Sequence, residues 1–431
     1  MKASVDCMDY SGLTFENDDL LDRKKLVSRV MSIINSQEIL KKESESFVIS
    51  LNAPWGTGKS FLVNMWKNWL LSAENIDNNY YVTYYNAWEH DDCEHPFSSL
   101  AYHISELELC NEDNKFVSDV KEKAKNFLKH CGVAILKDGI QKFIGETTAK
   151  IVAEGIDKAV DIKSSDYFDE YEAFLKRKKS FKCELKKLIP ENGKLIIFID
   201  ELDRCRPNFA IETLEVVKHY FDIKDIVFIF SIDIMQLSYS ISTMYGAGMD
   251  SMGYLRRFFD FMIKIPQPNI ESYLRSQLYK NNTVKIDDDF VYKMIFLFNK
   301  LRLSLRDVDK IVNSFIVFLM YYKDEFRDLP EYHESLEIYL FFIILKNKFP
   351  TQYELILNGR YTLDKKIFFD DIVLENKFQI EGVILRLLKD IASDNAKIYG
   401  DKIIKDYKLF AHSDTEASFA TYIEKTIEMI D

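Results

Sequence analysis

The sequence predicts an α/β unit built on a parallel sheet, interrupted by a helical insertion and followed by an all-helical region. Two observations predict it. The runs at 195–199 and 226–231 are uninterruptedly apolar and bounded by turn residues, which is how strands covered on both faces read. Helical periodicity separates these runs, and beyond Pro268 every strong pattern is helical, so crossover helices connect strands that run the same way.

Taken in order, residues 1–45 are a polar lead-in ending in a helix, with Leu26, Val30, Ile33 and Ile34 at helical spacing. Residues 47–51 form a short apolar strand. A Gly-bearing turn at 52–58 follows, then an amphipathic helix carrying Leu62, Met65, Trp66, Trp69 and Leu70 on one face. Residues 80–85, rich in aromatic and β-branched side chains, are a second strand. About 98–187 there is only charged helical pattern, including a Gly-dotted stretch at 131–162, and this is the insertion. The runs at 195–199, 226–231 and 261–265 complete the sheet, so 46–268 is one α/β unit. Residues 269–325 and 326–431 are expected to be helical, the latter as a partner-binding or regulatory region.

At 431 residues, with 47% apolar and 29% charged, the chain has the composition of a soluble globular protein of two or three domains. The net charge of −12 disfavours a broad nucleic-acid surface, which needs concentrated positive potential, and leaves room only for local basic patches. The six cysteines lack a paired spacing and fit a reducing cytoplasm. Residues 1–10 carry acidic and polar residues where a signal peptide needs a basic start and a long apolar run, so no export signal is expected. The most apolar stretches, 315–322 and 338–345, are far shorter than the roughly 20 residues of a membrane-spanning helix and are expected as core helices.

Chemistry concentrates in two places. The first is Ala53-Pro54-Trp55-Gly56-Thr57-Gly58-Lys59-Ser60, between a strand and a helix, which is the context of a phosphate-binding loop. Gly56 and Gly58 permit turns that aim backbone N–H groups at an anion lying on the positive end of the next helix. Lys59 is placed to reach the β and γ phosphates and Ser60 to ligate Mg2+. Pro54, Trp55, Gly56, Thr57, Gly58, Lys59, Ser60 and Phe61 are the candidate nucleotide contacts. Ala53 stands where the usual pattern begins with glycine, which is tolerable at negative φ.

The second is Asp200-Glu201 at the end of the 195–199 strand, a Walker B arrangement in which Asp200 holds Mg2+ and Glu201 polarises the water that attacks the γ phosphate. Arg204 either contacts a neighbouring subunit's nucleotide or pairs with Asp203, and Cys205 is a packing residue. His90, Cys93 and His95 match no standard zinc spacing and read as a polar turn. The basic segment 176–187 reads as a solvated helix face.

Together, Trp55-Gly56-Thr57-Gly58-Lys59-Ser60, Tyr85-Asn86-Ala87-Trp88 and Ile199-Asp200-Glu201-Leu202-Asp203-Arg204-Cys205 resemble KAP P-loop NTPases. The resemblance continues through Ser231-Ile232-Asp233, Tyr254-Leu255-Arg256-Arg257-Phe258 and Leu305-Arg306-Asp307-Val308, and spans about 20–320. It implies a three-layer P-loop fold with sheet order 5-1-4-3-2 and an appended helical domain. It also implies a sensor role for Asp233, a sensor-arginine role for Arg306, and action of Arg256 or Arg257 across a subunit interface in a homo-oligomer. Many members carry membrane-spanning helices in the insertion, whereas 131–162 here keeps Lys137, Asp138, Lys142, Glu146 and Lys150. Many also have aspartate where Glu201 stands.

The resulting expectation is a cytoplasmic ATPase that binds Mg-ATP and hydrolyses it to drive a conformational or assembly switch. The resemblance points to bacterial defence against phage or plasmids, with partners encoded by neighbouring genes. The alternative is a nucleotide-gated scaffold with little intrinsic hydrolysis, organising partners at a membrane surface. A nucleic-acid motor is disfavoured by the acidic balance.

Overall fold

The computed structural model of the protein describes residues 10, 12–36, 45–72, 80–93, 95–105, 164–189, 192–246, 248–280, 286–326 and 332–357. The expectations for 131–162, for most of the insertion and for 358–431 lie outside them. The chain divides into two compact units, Met1–Pro266 and Gln267–Asp431.

In the first unit, α1 (Phe15–Asp18) and α2 (Lys24–Asn35) precede the sheet. The Asp19 carboxylate accepts from the N–H groups of Arg23 and Lys24 and so caps α2. The strands are β1 (Phe47–Asn52), β2 (Tyr80–Asn86), β3 (Lys194–Asp200), β4 (Ile226–Ile232) and β5 (Phe261–Lys264). All pairings are parallel, in the order β2-β3-β4-β1-β5. Read from the β5 edge, this is 5-1-4-3-2, the order that the resemblance implies.

Helices cover both faces, which is why the central strands carry no polar alternation. Along β3, Ile196 and Phe198 pack with Trp66 of α3 (Lys59–Leu70) and Val30 of α2. The intervening Leu195, Ile197 and Ile199 face the opposite layer. That layer is made by α4 (Pro96–Ser105), α5 (Ser164–Lys186), α6 (Pro207–Tyr220) and α7 (Ile234–Tyr245), with the short α8 (Ser251–Arg256) beside them. Every residue of β4 is buried, so its apolar run has water on neither side. The basic segment at 176–187 is not simply a solvated face: Phe181 and Leu185 are buried, Lys182 donates to the Asp222 carbonyl at 3.0 Å, and Lys178 lies over the Tyr220 ring.

The second unit is helical where described: α9 (Ile270–Lys280), α10 (Asp288–Lys300), α11 (Leu305–Phe326), α12 (Tyr332–Lys348) and α13 (Pro350–Leu357). They share one core, in which Phe290 stacks on Phe315 and Phe318 on Tyr339. The expected core stretches at 315–322 and 338–345 fall in α11 and α12. Among the described residues no helix is long and apolar enough to cross a membrane.

Phe228, at the middle of β4, is fully buried against Phe221 and Phe230. Phe228→Ala is expected to destabilise the first unit by about 3–5 kcal/mol, measured by urea unfolding, because the cavity cannot close between two covered faces.

Candidate active site

The carboxyl ends of β3, β4 and β1 lie side by side, and each delivers a loop to the same edge of the sheet. Ligands in such sheets bind outside this edge. Ala53 continues the ladder beyond β1, its N–H donating to the Ile232 carbonyl at 3.2 Å. It is not among the residues with positive φ, so alanine is accommodated there. Gly56 and Gly58 do take positive φ, 76° and 79°, where a Cβ would meet the backbone. Gly58 is the N-cap of α3 and Lys59 its first residue.

Lys59 is 9% exposed, and its ammonium donates to the carbonyls of Ala53 at 2.7 Å and Pro54 at 3.4 Å. Among the described residues no carboxylate is within ion-pairing distance of it. Burial pulls its pKa below the ordinary lysine value, against the more distant Asp203, Asp233 and Asp200. A buried cation held only by carbonyls, on a loop with two left-handed glycines at a helix N-terminus, has the donor set of a phosphate site. The Ser60 hydroxyl and the Asp200 carboxylate are hard oxygen donors of the kind Mg2+ takes.

Asp200 is 1% exposed; one oxygen accepts from the Glu201 N–H at 2.9 Å and the other from the Tyr84 hydroxyl at 3.1 Å. Burial and the neighbouring Asp200 drive the Tyr84 phenol far above its usual pKa, so it stays a donor. Glu201 has a φ of 60°, a left-handed backbone that non-glycine residues adopt mainly where surrounding structure imposes it. Burial raises its pKa, and Arg204 works against that rise. The Arg204 guanidinium lies 2.8 Å from a Glu201 carboxylate oxygen and 5.5 Å from the centre of the Trp88 ring. The Asp203 pairing considered for Arg204 from the sequence is therefore not the one formed.

Asp203 has a different task. Buried at 7% exposure, it accepts from the Trp55 indole N–H at 2.5 Å and from the Asp233 backbone N–H at 3.0 Å through the same oxygen. One carboxylate thus ties the loops after β1, β3 and β4 together. Asp233 spends its side chain capping α7, accepting from Met235 and Gln236 N–H groups. Arg256 and Arg257 are exposed at the end of α8, Pro54 is exposed on the loop and Phe61 is exposed in the first turn of α3. Arg306 is exposed near the start of α11, within the second unit.

Sequence reasoning missed Arg23, which is 4% exposed and donates to the Thr57 carbonyl at 2.9 Å, pinning the loop from behind. Burial lowers its pKa to about 10. Nothing in the polar lead-in distinguished this arginine. It also missed Tyr84, whose hydroxyl direction only the register between β2 and β3 fixes. Among the described residues no cluster of His, Cys, Asp and Glu is arranged to hold a metal, and His90 stacks on Tyr85 instead.

A sequence model of the KAP family P-loop domain matches residues 23–322. An uncharacterised protein of Methanocaldococcus jannaschii is 30% identical over 172 residues, 34% of this chain and 88% of that protein. The Aeropyrum pernix ORC2 protein in its ADPNP–ADP complexes superposes with a TM-score of 0.35 at 12% identity, covering 95% of this chain and 93% of that one. AMPPCP-bound DnaA from Aquifex aeolicus gives 0.29 at 10% identity, covering 97% and 96%. At TM-scores this low the likeness says nothing of function.

Asp203→Ala is expected to leave the buried Asp233 N–H unpaired and to release Trp55. The loss should amount to about 1–3 kcal/mol in urea unfolding, and an unchanged midpoint would show that the three loops are not held by this carboxylate.

Proposed function

The chain belongs to the KAP family of P-loop domains, and from that premise we propose that it binds Mg-ATP and hydrolyses it to drive a conformational or assembly switch. The observation that carries this reading is the buried Lys59, which has carbonyl but no anionic partners among the described residues and sits across the sheet edge from Asp200 and Glu201.

In this reading the N–H groups of the 56–60 loop and the Lys59 ammonium hold the β and γ phosphates. Ser60 and Asp200 would hold Mg2+, which supplies positive charge to the phosphate oxygens when bound. Glu201 takes a proton from the attacking water as its oxygen bonds to the γ phosphorus. The bond from that phosphorus to the β–γ bridging oxygen breaks, and ADP leaves with the electron pair. Asp233 supports this arrangement from the end of β4. The exposed Arg256 and Arg257 are proposed to act in trans in a homo-oligomer, and Arg306 to report nucleotide state from the helical region. A cytoplasmic role in bacterial defence, with partners encoded nearby, rests on the family resemblance alone.

The second reading, a nucleotide-gated scaffold with little intrinsic turnover, is favoured by one observation: Glu201 is already ion-paired with Arg204.

Lys59→Ala is expected to weaken Mg-ATP binding at least about tenfold, measured by calorimetry, through loss of a charge-assisted contact. Glu201→Gln should keep the affinity and lower kcat by about 100-fold or more. Unaltered turnover in Glu201→Gln would eliminate hydrolysis by this site.

A further inference from the structure

Glu201 and Arg204 belong to one tight turn, the Arg204 N–H donating to the Glu201 carbonyl at 3.1 Å, so their ion pair forms without help from any distant element. Their side chains are 15% and 29% exposed, which places the contact at the mouth of the site, neither in bulk water nor in the core. The oxygen facing Arg204 at 2.8 Å is one that a general base needs for the proton of the attacking water. A guanidinium there occupies that oxygen and restricts the rotation of the carboxylate.

Arg204 has a second surface to rest on. Its guanidinium already lies over the Trp88 ring, and Trp88 is 53% exposed. Both residues, with Trp55 and Tyr239, line an open cavity of about 440 Å³ beside the loop. The guanidinium holds both contacts at once, and a planar cation on an aromatic face is a stable arrangement that does not require the carboxylate.

We propose that Arg204 is a positioning residue that restrains Glu201, so that the isolated chain hydrolyses ATP below the capacity of its own site. The inference rests on the reading of Glu201 as the base. It opposes the expectation that Arg204 contributes directly to catalysis: an arginine that stabilises the transition state speeds turnover, whereas one that occupies the base slows it.

The test is steady-state ATP hydrolysis by dilute full-length protein carrying Arg204→Met, which keeps the aliphatic stem against Trp88 and removes the charge. For a partly buried pair of this kind the expected rise in kcat is about three- to tenfold, with KM for Mg-ATP unchanged. Arg204→Lys, which retains the charge without the planar fork, should fall between the two. In the double variant Arg204→Met with Glu201→Gln the gain should vanish. A lower kcat in Arg204→Met with Mg-ATP affinity retained would overturn the proposal, as would a gain that survives Glu201→Gln. If Arg204→Met fails to fold, an Arg204→Lys protein with wild-type or lower kcat overturns it equally. Unchanged turnover in Glu201→Gln alone would instead remove the reading on which the proposal stands, so the two failures are distinguishable.

Discussion

The site is organised by the burial of one positive charge. An ammonium taken out of water costs several kcal/mol unless its surroundings replace the lost hydration, and among the described residues Lys59 has two carbonyls in contact for this. Three carboxylates, on Asp203, Asp233 and Asp200, supply attraction from further off, enough to moderate the fall in pKa without reversing it. The result is a cation kept at the end of β1 with no anion against it among the described residues. The parallel sheet makes this possible, because only adjacent strands running the same way bring three loop starts to one edge.

Rigidity around that charge comes from short links between loops. Asp203 joins the loops after β1, β3 and β4 through one carboxylate oxygen, and Arg23 braces the same phosphate-type loop from the lead-in helix. Arg204, one residue after Asp203, is by contrast partly exposed and contacts two partners at once, a carboxylate and an indole. Neighbours in a single turn therefore divide between a buried brace and a contact partly open to solvent. Burial separates them: Asp203 is 7% exposed, so water cannot replace its partners, while the Arg204 side chain is 29% exposed.

Much of the fold was legible because burial on both faces writes itself as continuous apolar runs, as at 195–199 and 226–231. The loop was legible because left-handed backbone requires glycine at 56 and 58. What stayed hidden was pairing across long sequence separation. Trp55 to Asp203, Arg23 to Thr57 and Tyr84 to Asp200 span 148, 34 and 116 residues, and composition and spacing say nothing about such contacts. Arg204 was hidden for the opposite reason. Two acids lie within three residues of it, and the structure pairs it with Glu201 while Asp203 is taken up by Trp55 and the Asp233 N–H.

Everything at this site depends on whether Lys59 and its loop await phosphate. Thermal unfolding of the full chain with magnesium tripolyphosphate, and separately with adenosine, addresses this directly. Tripolyphosphate should raise the melting temperature of the first unit in proportion to the logarithm of its concentration, and adenosine should have much the smaller effect. Stabilisation by adenosine with none from tripolyphosphate would contradict this, because the buried ammonium would then not be the centre of the site.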